Sequence, residues 1–587
     1  MYIAGIKPVF HNFTQNKAQI TPNDFSQKTK DRSHLVFHEI CDTRGNMEIK
    51  GRRIFNYRPM VFFALSLILG ILVAESMYGA SVWFYLIPLF LFILCFSLVF
   101  AFKKSRRFAY IPIAILVGFV AMTSHNVAFN ANTVQYYKGD FTCTVASDIV
   151  ADGRYCKFYV KNISIDGKTY KYEGYVTGYL DEIDFNAGDT VKINGTLKSV
   201  GHERFDTFFA SNLSKGVGFK IYADSVTFVG DGKLGFIDGI RHKIKKILYE
   251  YTDDYTASIT QALVLGDKFG IDSDLYSDVK ASGLAHVLAV SGLHVSTLAT
   301  ALYFVLKKLK VNPKIGFCMV VVLTFFYSML CSFTASSLRA VVMSGVFMFA
   351  SSFGQKKDDL SATAFAAILI LLFRPYAIMD VGFLLSFGAV VGIFAFARPI
   401  EKVGMKVVDK VSPKRHIGKR FVSVFAVSTS ANILTYPLVA YFFGEVPTLF
   451  LLSNFFVLPY VMAIYVVMLV LCFLSLITTW GGFVWILKFL LIPFRLYVGA
   501  VGSLNFSTIP VVMGVVGILT YTAIAVVSSR YVFLTRVQKC RCALIIASAG
   551  LVVGAVAQLI VYLTCDFVPA ESAISLILSQ GQNVVLR

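Results

Sequence analysis

The densest run of chemically capable side chains is Ala281-Ser-Gly-Leu-Ala-His286-Val-Leu-Ala-Val-Ser291-Gly-Leu-His294-Val-Ser-Thr297. On one continuous helix, Ser282, His286, His294 and Thr297 fall within about one third of the circumference. Such a stripe admits four chemistries. The histidines could hold a metal, although they stand eight apart rather than four and the segment offers no third ligand. Ser291 and His294 could act as nucleophile and base, although no orienting group is visible. The stripe could line a conduit, which is the preferred reading. It could also be a hydrogen-bonded packing face between helices. Gly283 and Gly292 allow close helix approach or a break.

Other polar groups stand where lipid makes them costly. Arg339, in Thr334-Ala-Ser-Ser-Leu-Arg339-Ala, lies near the outer end of an apolar run. There it either snorkels to the interface or supplies a fixed cation to an anion path. Asp380 opens another run, with Ser386 one and a half turns on. Pro437 and Asn454-Phe-Phe-Val-Leu-Pro459 interrupt helices, which is tolerated only where neighbours or water satisfy the freed backbone.

A polar region carries a different pattern. Tyr155, Lys157, Tyr159 and Lys161 alternate with Cys156, Phe158 and Val160, and Tyr172 follows. Aromatics interleaved with lysines can stack bases and track the phosphates of a single strand. Acidic residues roughly offset the basic ones over 130–235, so an ordinary solvated strand face fits as well. Cys143 and Cys156 are the region's only cysteines and form a candidate disulfide. A tight Asp152-Gly153 hairpin, however, sets Ile149 rather than Cys143 opposite Cys156.

These groups must be positioned by membrane-spanning helices. The 587 residues are 56% apolar and 15% charged, against roughly 25% charged in soluble domains. Thirteen runs approach the ~20 residues of a span. Three lie at 60–77, 82–102 and 108–128; ten more lie at 284–306, 315–332, 335–354, 360–375, 378–397, 421–443, 447–472, 479–503, 508–528 and 542–564. With the N-terminus inside, the basic loops at 50–58, 103–107, 307–314, 355–359, 398–420 and 529–541 all face the cytoplasm. Topology therefore accounts for most of the net charge of +20 without invoking nucleic acid.

The region 130–235 is then extracytoplasmic and reads as a small β-barrel, an OB-fold being one option, with Asp152-Gly153, Asp166-Gly167 and Asn194-Gly195 as hairpin signals. An amphipathic helix is expected at 236–265. The expected fold class is a polytopic α-helical membrane protein with this barrel inserted. Its order is a disordered or mis-called extension at 1–50 (Met47 is a natural alternative start), three spans within 51–129, the barrel at 130–235, an amphipathic helical linker at 236–282, a transmembrane domain at 283–565 and an outer tail at 566–587. The ten cysteines show no zinc spacing, and no cofactor is expected.

From Ala262-Leu-Val-Leu-Gly-Asp267 through His294 the chain resembles the ComEC family of competence proteins. Ser337-Leu-Arg-Ala340, Asp380-Val-Gly-Phe-Leu-Leu-Ser-Phe387, Thr435-Tyr-Pro-Leu438 and Asn454-Phe-Phe-Val-Leu-Pro459 extend the likeness in the same order. The resemblance covers roughly 60–565 and implies a channel in the bacterial cell membrane that passes one strand of transforming DNA inward. The candidate path is Ser282, His286, Ser291, His294, Thr297, Arg339 and Asp380. Tyr155, Lys157, Tyr159, Lys161 and Tyr172 are the candidate single-strand-binding residues of the outer domain. Implied partners are single-stranded DNA, the lipid bilayer, a DNA receptor and a cytoplasmic ATPase motor, since no Walker A motif occurs. Many family members end in a metallo-β-lactamase-like domain; here the expected outer tail, 566–587, is 22 residues and no HxHxDH occurs. No catalysis is therefore expected of this chain, and strand degradation falls to a separate nuclease. A transporter of another solute, or a membrane-embedded hydrolase using Ser291 and His294, are the alternatives.

Overall fold

The computed structural model describes residues 58–78, 88, 92, 93, 97 and 108–565, apart from 153, 181–182, 201–211, 233, 269, 289, 353–357, 412–415, 479, 512 and 533. The expected extension at 1–50, the expected span at 82–102 apart from residues 88, 92, 93 and 97, and the tail at 566–587 lie outside the described residues. The described residues up to Arg530 and from Val537 onward form one unit by their contacts. The helices and strands that position the site belong to this unit.

The protein is mostly helical and membrane-embedded, with a sheet region inserted. Seven described helices are long and apolar enough to cross a membrane: Pro59–Ser76, Tyr110–Ala131, Pro313–Leu330, Val381–Lys410, Gly418–Phe443, Phe450–Thr478 and Val537–Val556. The pair Gly481–Leu490 and Ile492–Gly502, bent by 43°, makes an eighth if it is one broken span. Of the five remaining expected spans, 82–102 is described only at residues 88, 92, 93 and 97. The others are Gly292–Lys308 (17 residues), Ala335–Ser352 (18), Asp359–Phe373 (15) and Val515–Ser528 (14). At 1.5 Å per residue, the shortest of these fall well short of a ~30 Å hydrocarbon core.

Helices α1 (Pro59–Ser76) and α2 (Tyr110–Ala131) form a close pair. A Cβ on Gly70 would strike the Ile115 carbonyl oxygen, and one on Gly118 the Leu67 carbonyl oxygen. The two glycines therefore let the backbones touch, which is how helices pack where lipid removes the hydrophobic drive.

The sheet region has seven strands: β1 (Tyr136–Val145), β2 (Val150–Asp152), β3 (Tyr155–Ile165), β4 (Lys168–Tyr170), β5 (Glu173–Tyr179), β6 (Thr190–Ser199) and β7 (Val217–Gly230). Pairing runs β1-β6-β7-β5-β3-β2, β4 adds to β3, and β1 also pairs with β3. All pairs are antiparallel except β5–β7. The alternation expected in β3 holds: Cys156, Phe158 and Val160 are fully buried, packed with Phe141, Ile193, Phe219 and Ile221. Asp166 and Gly167 both take positive φ (48° and 80°) between the paired residues Ile165 and Lys168, the geometry of a two-residue hairpin turn.

Three sequence readings are corrected in this region. Asn194-Gly195 is no turn; it lies inside β6 at a register shift against β7. Gly195 is needed because a Cβ there would strike the Tyr222 carbonyl oxygen. Ala151, not Ile149, pairs with Cys156. Cys143 and Cys156 are free, buried thiols. The β1–β3 register sets Thr144 against Lys161 and Thr142 against Ser164, so Cys143 meets β3 at least six residues from Cys156.

The expected amphipathic helix divides at Thr252–Asp253. Helix α3 (Phe236–Tyr251) buries Ile244, Lys245 and Leu248 along one side. Helix α4 (Asp254–Leu265) is buried at every position from Thr256 to Leu265, so it is a core element rather than a surface one. Asp253 caps it, accepting from the Thr256 backbone N–H at 3.3 Å.

Gly118→Leu is expected to force α1 and α2 apart, costing about 1–3 kcal/mol or more. Thermal unfolding of the detergent-solubilised full chain checks it, with Val120→Leu, at a lipid-facing position 55% exposed, as the variant expected to be neutral.

Candidate functional site

The stripe of the sequence reading is not one helix. Helix α5 (Ser273–Ala281) ends at Ser282, Gly283 turns left-handed at φ 75°, and the chain runs through turns until α6 (Gly292–Lys308) begins. Ser282 and His286 therefore sit on a different element from His294 and Thr297. The break is chemically specified. Ser291 is the N-cap of α6: its Oγ accepts from the Leu293 N–H at 3.2 Å, and its own N–H donates to His294 Nδ1 at 3.1 Å. His294 fills the capping-box position that Glu or Gln ordinarily holds.

His294 Nδ1 accepts, so in the neutral ring the proton sits on Nε2. Nε2 is buried without a hydrogen-bond partner. The ring meets Tyr465 edge-on at 4.7 Å. Ser291 Oγ lies 2.9 Å from His294 Nδ1, which is within reach for a nucleophile and base. Both atoms are already engaged by the cap, and an aromatic ring rather than a carboxylate adjoins the far side of the imidazole. Ser282 is fully buried, with its Oγ donating to the Val279 carbonyl at 2.8 Å. His286 is exposed, its Nδ1 3.1 Å from the Gly283 carbonyl, and Thr297 is half-buried. Among the described residues, no group of three or more His, Cys, Asp or Glu is placed to hold a metal.

The distant motif stretches converge on this loop. Ser336 Oγ donates to the Val290 carbonyl at 2.6 Å. Helix α7 spans Pro313–Leu330 and α8 spans Ala335–Ser352. Arg339, on α8, is buried rather than snorkelled: Nη1 donates to the Ser386 carbonyl, and Cζ stands 5.6 Å from the Phe387 ring. A Cβ on Gly292 would meet Arg339 Nη2, so a side chain there would require the guanidinium to shift. Helices α9 (Asp359–Phe373) and α10 (Val381–Val411) come next. Asp380, also buried, accepts from the Gly382 N–H at 3.3 Å at the head of α10, the helix that carries Ser386. The Asn454–Pro459 interruption is a π-turn, Ser453–Val457, in which Ser453 Oγ donates to the Ser282 carbonyl. Tyr436 reaches the same place through Phe450, its ring 5.1 Å away, and Phe450 packs on Gly283.

A second cluster joins the sheet to this domain. Lys245 Nζ lies 2.6 Å from Asp148 and 2.6 Å from Asp267, the aspartate of the Leu-Gly-Asp motif. His242 Nδ1 is 2.8 Å from Asp148, and Arg241 is 3.5 Å from Asp267. Arg241 also donates to the Leu330 carbonyl and to Ser332 Oγ, both at 2.6 Å. Burial raises the Asp148 pKa, but the charge and hydrogen bond of Lys245, together with His242, outweigh it and hold the carboxyl below its usual range. Nothing in the sequence pairs Asp148 with Lys245; only Asp267 carried a motif signal.

The expected strand-face residues are dispersed. Lys161 is paired with Asp238 at 2.9 Å. Tyr172 packs against Phe129 of α2 at 5.0 Å, away from the open face. Tyr159 stacks obliquely on Tyr175 at 5.2 Å and is half-buried, as is Lys157. Tyr155 remains exposed beside Tyr179, rings 5.3 Å apart. Strand pairing adds residues that single-strand alternation did not show: Tyr222 is set against Thr177, with Lys220 at 5.1 Å and Lys198 at 5.9 Å from its ring.

Residues 263–536 match the family model described as competence protein. The chain is 23% identical over 405 residues to ComE operon protein 3 of Bacillus subtilis (strain 168), covering 67% of this chain and 50% of that protein. It is 26% identical over 332 residues to competence protein ComA of Neisseria gonorrhoeae, covering 53% of this chain and 44% of that protein. The chain thus aligns with about half the length of the curated relatives it matches. No solved structure matches.

Ser291→Ala is expected to cost about 1 kcal/mol through the lost cap, read as a lowered midpoint in thermal unfolding of the full chain. Because the Asp148 pKa is lowered on folding, its contribution is present above the reference value of 3.8 and is lost as pH falls through the folded value. Hydrogen-exchange protection of residues 146–150, corrected for intrinsic rates, should hold from pH 7 to pH 5 and fall only below about 3.8.

Proposed function

We propose that the chain belongs to the ComEC-type family of competence proteins and that it conducts one strand of transforming DNA across the cell membrane during competence. The observation that carries the proposal is the convergence of the widely spaced motif stretches on one non-helical segment, 282–291, lodged among membrane helices. Irregular backbone at membrane depth is tolerated only where protein or a water-lined path satisfies it. In this reading exposed His286 faces the strand, while Ser282, Ser291, His294, Arg339 and Asp380 brace the loop. Thr297 continues the lining along α6.

The seven-stranded region fits an OB-type receiving domain. Its pairing cycle β1-β6-β7-β5-β3 returns to β1, and its single parallel pair is β5–β7. Tyr155, Tyr179 and Tyr222 offer rings to bases, each stacked base contributing roughly 1–3 kcal/mol. Lys198 and Lys220 offer charge to phosphates, a contribution that weakens with salt. The N-terminus lies inside, and a receptor, a cytoplasmic motor and a separate nuclease complete the route. The membrane hydrolase alternative has the 2.9 Å Ser291–His294 approach in its favour; the cap that occupies both atoms argues against it, and we assign the chain no catalysis.

The test is uptake of labelled duplex DNA by a competent host carrying the wild type, a deletion, or Tyr155→Ala with Tyr179→Ala and Tyr222→Ala at matched membrane levels. The deletion should abolish internal single strands while surface-bound duplex persists. The triple variant should lower internalisation by about tenfold or more, equivalent to losing one or more stacking contacts. Unchanged internalisation in the deletion contradicts the proposal.

A further inference from the structure

The turn between α6 and α7 holds a basic pocket that the uptake reading leaves unused. Helix α6 ends in a Schellman turn: the Lys310 N–H bonds the Lys307 carbonyl at 3.1 Å, and the Val311 N–H bonds the Leu306 carbonyl at 3.1 Å. Such a turn requires a left-handed residue, and Lys310 takes that position at φ 56°. Glycine or asparagine would adopt it with less steric conflict. A lysine held there directs attention to its side chain.

Lys310 and Lys307 line a cavity of about 140 Å³ together with Tyr303, Val311 and Gly316. No acidic residue is in the lining. Among the described residues neither lysine side chain has an ion pair. The first turn of α7 adds the positive end of a helix dipole on the same side. Next to the lining residues in the chain, Phe304, Leu309 and Ile315 are 61%, 69% and 57% exposed. Two amines without an ion pair and a phenol beside the start of the span Pro313–Leu330, with exposed apolar side chains next to them in the chain as a rim, match the chemistry of an anionic lipid: phosphate on the amines, acyl chains on the apolar side chains. A soluble anion would have no use for the rim.

We propose that this pocket binds the phosphate headgroup of an anionic phospholipid from the leaflet that the basic loops face. The full-length protein in detergent is titrated with phosphatidylglycerol and with phosphatidylcholine, and retained lipid is read by native mass spectrometry. Phosphatidylglycerol should be retained about tenfold or more over phosphatidylcholine, from two lysines at one phosphate. Lys307→Gln with Lys310→Gln should erase that preference. Lys310→Gly removes the amine while easing the turn, so it should raise the unfolding midpoint and still lower retention several-fold. That separates lost binding from misfolding. Lys402→Gln, on α10 and away from the pocket lining, should leave retention unchanged. Equal retention of the two lipids, unchanged retention in Lys310→Gly, or complete displacement of the lipid by millimolar inorganic phosphate overturns the proposal.

Discussion

Backbone polar groups that leave a helix inside a membrane must be satisfied by protein, because lipid offers no hydrogen bonds. Residues 282–291 meet that demand from three directions. Locally, the Ser282, Leu284 and Val287 N–H groups bond the Asp278, Val279 and Leu284 carbonyls. From α8, Ser336 takes the Val290 carbonyl, and from the π-turn, Ser453 takes the Ser282 carbonyl. The Ser291–His294 cap closes the far end. The two side-chain donors from outside the loop, Ser336 and Ser453, each stand one residue before a stretch that carries the family likeness. Together they stabilise an irregular segment between α5 and α6.

The same loop is in packing continuity with the sheet. Gly266, left-handed at φ 70°, ends α4 and lies against Val290, where a Cβ would stand 3.2 Å from its Cγ2. The next residue, Asp267, carries Lys245 and through it Asp148 of the sheet region. Behind the cap, Tyr327 donates to the Val264 carbonyl at 2.9 Å and its ring lies 6.5 Å from Tyr465, the partner of His294. A short physical route therefore links the sheet, the Leu-Gly-Asp turn and the start of α6. Lys245 is central to it: it stands between the two carboxylates, with His242 beside Asp148 and Arg241 beside Asp267 on the same helix.

Features governed by local chemistry were legible in the sequence. The period-two burial of Cys156, Phe158 and Val160 and the Asp166-Gly167 turn depend on neighbours in the chain. So do the long apolar helices. What required the fold was less visible. The stripe from Ser282 to Thr297 assumed one helical phase, and a break at Gly283 followed by a new cap at Ser291 resets that phase, although both residues were in view. Asn194-Gly195 carries turn chemistry, yet the demand for a glycine there comes from Tyr222 on another strand. Tyr172 is an aromatic on a strand-rich segment, and only the position of α2 turns it inward. Helix α4 shows polar residues, Thr260 and Gln261, that burial on all sides hides from any amphipathic count.

The central claim is that the strand passes the exposed side of the 282–291 loop. A photo-crosslinking amino acid placed at His286, with DNA arrested during entry, addresses it most directly. Single strands crosslinked at 286, but not from Val120 on the lipid-facing side of α2, are the expected result. Crosslinks from the sheet at Tyr155 with none at 286, in a protein that still supports uptake, would place the path elsewhere and contradict the claim.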